Sequence, residues 1–137
     1  MIATTQNATT RIWHALIVDD SDSDTELAAV HLRRAHPGDS NLTVACAADG
    51  EAALAKLDQE HFTLLILDWQ MPRIGGAEVL RHLRNSGSHT AVVVLSGLNR
   101  NEIKENLESL AAVYLNKNEM NTETLQSAIA LALKLLD

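Results

Sequence analysis

Leu64-Leu65-Ile66-Leu67-Asp68 is an apolar run with no polar alternation that stops on a carboxylate. A strand with one wet face alternates polar and apolar residues, whereas a strand covered on both faces reads as continuous branched aliphatics, as in a parallel sheet. Taken with Thr63, this run covers residues 63–67, and four others resemble it at about 13–18, 42–47, 91–95 and 113–115. Five such runs, each followed by a segment of helical spacing, predict an α/β fold with an open, doubly wound parallel sheet of five strands and five helices. Right-handed crossovers leave few topologies, and the flavodoxin-like strand order 2-1-3-4-5 is the common solution.

The helical segments carry their own signals. Ser23-Asp24-Thr25-Glu26 matches a capping box, and the inner face of the first helix is predicted to hold Leu27, Ala28, Leu32 and Ala35. His36-Pro37-Gly38 stops it, because proline cannot continue a helix. Asp49-Gly50 is a turn before the second helix, with Ala53, Leu54 and Leu57 inward. Gly75-Gly76 precedes the third, striped by Val79, Leu80 and Leu83; Ile103, Leu107 and Leu110 mark the fourth. The fifth runs from about Asn121 to Leu136, with Leu131 and Leu135 forming a second stripe directed away from the sheet.

In such sheets ligands bind beyond the carboxyl ends of the strands. Asp19 and Asp20 follow the first run, Asp68 ends the third, Ser96 the fourth, and Lys117 lies just past the fifth. Three carboxylates at one sheet edge suit magnesium, which prefers oxygen ligands. A hydroxyl and an ammonium facing them suit transfer of a phosphoryl group to a carboxylate.

Composition excludes several classes. At 137 residues the length fits one domain, and 46% hydrophobic residues fit a globular chain. A formal net charge of -7 offers no basic stripe for nucleic acid. No apolar run reaches membrane-spanning length. Residues 1–11 are Thr- and Asn-rich and read as a flexible N-terminal tail, leaving 12–137 as the domain. The lone Cys46 permits no internal disulfide, fits a reducing cytoplasm, and sits in an apolar stretch that points to core packing. The six histidines fall in separate segments and make no cluster.

The ordered set Leu16-Ile17-Val18-Asp19-Asp20-Ser21, Asp49-Gly50-Glu51-Ala52, Leu67-Asp68-Trp69-Gln70-Met71-Pro72 with Gly76, Ser96-Gly97 and Tyr114-Leu115-Asn116-Lys117 resembles the receiver domain of two-component response regulators, of the chemotaxis-regulator kind. The resemblance runs from about Trp13 to Leu136. It implies a non-enzymatic signalling domain that accepts a phosphoryl group from a sensor histidine kinase or histidine phosphotransfer protein onto Asp68. It implies Mg2+ held by Asp20 and Asp68, by Asp19 through water, and by the backbone carbonyl of Gln70. Ser96 and Lys117 then contact phosphoryl oxygens, Gly97 leaves room for the group, and Ser96 with Tyr114 forms the switch. The implied output is a downstream protein target or output domain; separately, the second stripe of Leu131 and Leu135 points to a partner surface or a homodimer.

Rival readings fare worse. Asp20, Asp22 and Asp24 imitate the start of an EF-hand loop, but Thr25 stands where glycine is needed and His31 where glutamate is needed. Asp20-Ser21-Asp22-Ser23-Asp24 also fails the aspartyl-phosphatase pattern, which wants Thr or Val at its end. Asp22 and Asp24 read instead as acidic residues at a helix N-terminus. The alternative function is a receiver-like interaction module that is not phosphorylated. Two departures from the family favour it: Asn118 follows Lys117 where proline is usual, and Ser109-Leu110-Ala111-Ala112-Val113 lacks a glycine for a left-handed cap. The first predicts either a trans bond with an altered lysine reach or retained strain. The second predicts a reshaped or mobile fourth helix.

Overall fold

The apolar runs become β1 (Ile12–Val18), β2 (Asn41–Ala47), β3 (Leu64–Asp68), β4 (Ala91–Ser96) and β5 (Ala112–Asn116). They pair in parallel in the order 2-1-3-4-5 in the computed structural model, which describes residues 12–36 and 41–136. The predicted tail at 1–11 and the Pro37-Gly38 stop lie outside the described residues. Every residue of β3 and β4 is buried, as continuous apolar runs require.

Alternate residues of each strand supply two cores. Leu16, Val18, Leu65, Leu67, Val92 and Val94 face α2 (Gly50–Gln59) and α3 (Gly76–Asn85). Ala15, Ile17, Leu64, Ile66, Val93 and Leu95 face α1 (Asp22–Ala35) and α4 (Thr122–Lys134). On α4, Leu125, Ala128, Ile129 and Ala132 are buried, while Leu131 and, at the C-cap, Leu135 are exposed. Two inward assignments need correction. Leu27 is exposed on α1, and Cys46 is exposed on the edge strand β2. The first helix also begins earlier than predicted: Ser21 is its N-cap, and its hydroxyl accepts from Asp24 N at 3.3 Å.

Four α-helices are present among the described residues, not five. The segment after β4 forms two 3-10 turns, Arg100–Glu102 and Glu108–Leu110. Its apolar periodicity survives as packing, since Ile103 and Leu107 are buried. Short polar side chains capture the backbone instead. Glu102 Oε1 accepts from Asn99 N at 2.7 Å, Asn106 Oδ1 accepts from Ser109 N at 3.3 Å, and Ser109 Oγ donates to Asn106 O at 2.8 Å. With no glycine available, Ala111 itself takes the left-handed cap at φ 53°, where L-residues are disfavoured by about 1–2 kcal/mol.

Arg84 clamps this segment. Its guanidinium donates to four carbonyls: Leu110 O at 2.7 Å, Thr90 O at 2.8 Å, Ser88 O at 3.1 Å and Ala111 O at 3.1 Å. Burial lowers its pKa from the usual arginine value, and no carboxylate pairs with it among the described residues. Arg84→Ala leaves those oxygens without their donor and is expected to lower unfolding stability by about 2–3 kcal/mol in urea melts. Arg84→Lys recovers little, because an ammonium cannot reproduce the planar fork.

Candidate functional site

Strand register brings the polar residues to one edge. Val18 is level with Leu67, Asp68 with Leu95, and Ser96 with Asn116. Asp19 and Asp20 therefore leave β1 beside Asp68, and Lys117 leaves β5 two strands away. One oxygen from each of Asp19, Asp20 and Asp68 lies within 4.8 Å of the other two. Asp19 and Asp68 are only 5% and 4% exposed, while Asp20 faces solvent. Gly76 lets the start of α3 close onto the chain at Asp68: a Cβ there would stand 2.8 Å from Asp68 O and 2.8 Å from Trp69 Cα.

The Lys117 ammonium lies in this acidic pocket. It is 2.9 Å from Asp19 Oδ2, 3.0 Å from Asp24 Oδ2 and 3.5 Å from Asp68 Oδ1. Burial by itself lowers the lysine's pKa, but the bonds to Asp19 and Asp24 and the charge of Asp68 outweigh it and hold the pKa above its usual value. Asp68 moves up to about 6, first because burial penalises its charge and then because Asp19 repels it; Lys117 and the Gln70 N–H, which donates to Oδ1 at 3.3 Å, oppose the rise. One ammonium among this many carboxylates leaves the pocket net negative. All-oxygen donors in that state fit a hard cation such as Mg2+, which retains waters and needs only one or two direct carboxylates.

No peptide bond among the described residues is cis, so Lys117 enters the pocket with a trans bond to Asn118. Asn118 N donates to Asn116 Oδ1 at 2.8 Å, and this turn takes the place of the expected proline. Ser96 is fully buried, and its Oγ accepts from Leu98 N at 3.0 Å, which leaves the hydroxyl proton free to donate. An added Cβ at Gly97 would meet nothing within 4 Å. Tyr114 is half-buried and donates to Leu98 O at 2.6 Å, and Asn116 Nδ2 donates to the same carbonyl at 3.3 Å and to Tyr114 OH at 3.0 Å. The loop after β4 is thus tied to β5 through Tyr114 and Asn116, and back to the end of β4 through Ser96.

Asp19, Asp20, Asp68 and Lys117, placed at one sheet edge by the sequence, meet there, and Ser96 ends β4 at the same edge; of the residues implied by the family resemblance, Gln70 donates its backbone N–H to Asp68, and Tyr114 lies within β5, bonded to the loop after β4. Sequence reasoning missed Asn116 and Asp24. Asp24 was read only as a helix-terminal charge, yet it holds the lysine. A usable signal was available: side chains in a first helical turn tilt toward the N-terminus and so lean over the sheet edge.

A family model described as response regulator receiver domain matches residues 15–130. The alkaline phosphatase synthesis transcriptional regulatory protein PhoP of Bacillus subtilis is 35% identical over 81 residues, 59% of this chain and 32% of that protein. The chain thus spans about a third of that relative's length. Among solved structures, the Vibrio cholerae chemotaxis protein CheY4 is similar at a TM-score of 0.75 and 29% identity, over 90% of this chain and 100% of that one. The Thermotoga maritima response regulator protein TrrA, in complex with Mg2+–BeF, is similar at a TM-score of 0.72 and 25% identity, over 87% of this chain and 98% of that one. Family match, fold and acidic edge agree: the chain belongs to the response regulator receiver domain family of two-component signal transduction.

Proposed function

We propose that Asp68 is the phosphoacceptor of a Mg2+-dependent phosphorylation switch, charged by a sensor histidine kinase or a histidine phosphotransfer protein in a phosphorelay. The observation that carries this reading is the meeting of the Asp19, Asp20 and Asp68 oxygens within 4.8 Å, with the Lys117 ammonium 3.5 Å from Asp68. An oxygen of Asp68 bonds to phosphorus as the phosphorus–nitrogen bond of phosphohistidine breaks. The imidazole leaves with that bond's electron pair. The nucleophile must be ionised, so its raised pKa of about 6 still leaves it mostly reactive at neutral pH. Asp20, Asp68 and the Gln70 carbonyl would hold Mg2+, with Asp19 acting through water. The cation, when bound, neutralises the crowded carboxylates and the incoming phosphoryl oxygens. Ser96 donates its hydroxyl to one of those oxygens, Gly97 leaves them space, and Lys117 pairs with another.

The domain is a switch and not an enzyme. Drawing Ser96 and Lys117 to the phosphoryl group pulls on the loop that Tyr114 and Asn116 tie to β5. That biases an existing equilibrium toward a second arrangement of β5, α4 and the segment between β4 and β5. A cleft of about 390 Å³ on this face is lined by Tyr114, Leu131 and Leu135, so movement of the ring alters an apolar surface. A downstream protein target, an output domain or a second copy of the chain docks there. No nucleic-acid or membrane role is assigned to this domain: the net charge is -7, and no helix among the described residues is long and apolar enough to cross a membrane. The exposed free thiol of Cys46 suits the reducing cytoplasm.

Acetyl phosphate with Mg2+ is expected to add one phosphoryl mass to the intact protein, and Asp68→Asn to remove the addition. Molar mass by light scattering is expected to rise with beryllofluoride and Mg2+; a monomer at high concentration in both states removes the homodimer.

A further inference from the structure

We propose that Asp24 is a positioning residue that restrains the Lys117 ammonium in the resting state and so opposes phosphoryl capture at Asp68, an inference that rests on the phosphoacceptor reading above.

An ammonium has three donors. Two of those on Lys117 are committed, to Asp19 Oδ2 at 2.9 Å and Asp24 Oδ2 at 3.0 Å, while Asp68 Oδ1 stands at 3.5 Å, outside a good hydrogen bond. To pair with a phosphoryl group on Asp68 the ammonium must move inward, away from Asp24. The Asp24 backbone is held in place and does not follow. It lies in the first turn of α1, where Asp24 N donates to Ser21 Oγ at 3.3 Å and Thr25 N to Ser21 O at 3.0 Å. The ion pair also has apolar walls: Leu27, Leu95 and Met120 line the small cavity that contains Asp19, Asp24 and Lys117. These walls shield the Lys117 side of the pair, while Asp24, 45% exposed, stays in contact with water, so the pair has the modest strength of a partly screened one. The same lining gives the exposed Leu27 a place beside the site. The resting state therefore holds a bond that the phosphorylated state must give up, and removing it favours the phosphorylated state.

The test is a beryllofluoride titration in saturating Mg2+, read by the emission of Trp69, which adjoins Asp68. Trp13, the other tryptophan, lies at the opposite end of β1. Asp24→Ala is expected to tighten apparent beryllofluoride binding by about three- to fivefold. Asp22→Ala removes the same charge from the same helical turn, but Asp22 makes no ion pair with Lys117 among the described residues, and it is expected to leave binding within twofold. In a Lys117→Met background, Asp24→Ala is expected to change nothing, because the carboxylate acts through the ammonium. Unchanged or weaker binding in Asp24→Ala, equal tightening in Asp22→Ala, or an effect that persists without the lysine overturns the proposal. A wild-type protein that gives no response to beryllofluoride removes the phosphoacceptor reading, and this inference with it.

Discussion

Asp68→Asn is expected to abolish phosphorylation outright and, at the same time, to make the metal-free protein more stable at neutral pH. The first effect is chemical: an amide oxygen is no nucleophile toward phosphorus, so the intact-mass increase with acetyl phosphate and Mg2+ disappears. The second follows from crowding. Asp68 is 4% exposed, stands beside Asp19, and has its pKa raised from 3.8 to about 6 by burial first and by the Asp19 charge second. Asparagine has the shape of the protonated acid and escapes that penalty. A rise of roughly two units corresponds to about 3 kcal/mol, and urea melts at pH 7 in chelator are expected to show a gain of that order.

The pH dependence carries the opposite sign to that of an ordinary salt-bridged aspartate. Between pH 3.8 and about 6 the folded state holds a proton on Asp68 that the unfolded state has released. Stability contributed by this group is therefore greatest below pH 3.8 and falls as pH rises through about 6. In the metal-free protein, the stability difference between Asp68→Asn and wild type is expected to be near zero at the acid end and fully developed by pH 7. Saturating Mg2+ should shrink it, because a ligand that binds only the folded state adds stability to the wild type by mass action. A difference that is flat with pH, or a destabilised Asp68→Asn, contradicts this account of the pocket.

The sheet was legible in the sequence because its strands are buried on both faces, and burial of that kind writes itself as unbroken Val, Ile and Leu. The five polar positions were legible because each stands where such a run stops. What failed to show was local competition for the backbone. Ile103, Leu107 and Leu110 keep helical spacing and still pack, yet Glu102, Asn106 and Ser109 hold the chain in 3-10 turns, and Arg84, distant in sequence, collects the carbonyls. Periodicity reports which side chains are buried, not which hydrogen bonds the backbone makes. Leu27 and Cys46 were misplaced for a related reason: an apolar residue at an inward-looking register can still lie at an edge, where the sheet does not cover it. Asp24 was misread because a first-turn acid satisfies a helix end equally well whether or not a lysine reaches it.

Lys117→Met is expected to have the reverse effect on stability and a large effect on rate. Asp19 and Asp68 are both nearly fully buried, and the ammonium is their cationic partner. Methionine keeps an unbranched apolar stem but leaves those carboxylates facing one another uncompensated. Breaking a buried pair from one side typically destabilises by 3–5 kcal/mol; because Lys117 is itself 24% exposed, a loss of about 2–3 kcal/mol at pH 7 in chelator is the fitting expectation. The loss should shrink on acidification, as Asp68 protonates, and on adding Mg2+, which replaces the missing positive charge. It should shrink again in the double variant with Asp68→Asn, since one of the two buried charges is then gone. Capture of a phosphoryl group from acetyl phosphate is expected to slow on the order of a hundredfold, the scale of removing one preorganised donor from developing anionic charge. Stability and rate separate two roles that a single measurement would merge. A variant that loses stability but accepts the phosphoryl group at the wild-type rate makes Lys117 a counter-charge for the resting carboxylates and nothing more, and the ammonium's passage from Asp24 to the phosphoryl oxygens falls with it.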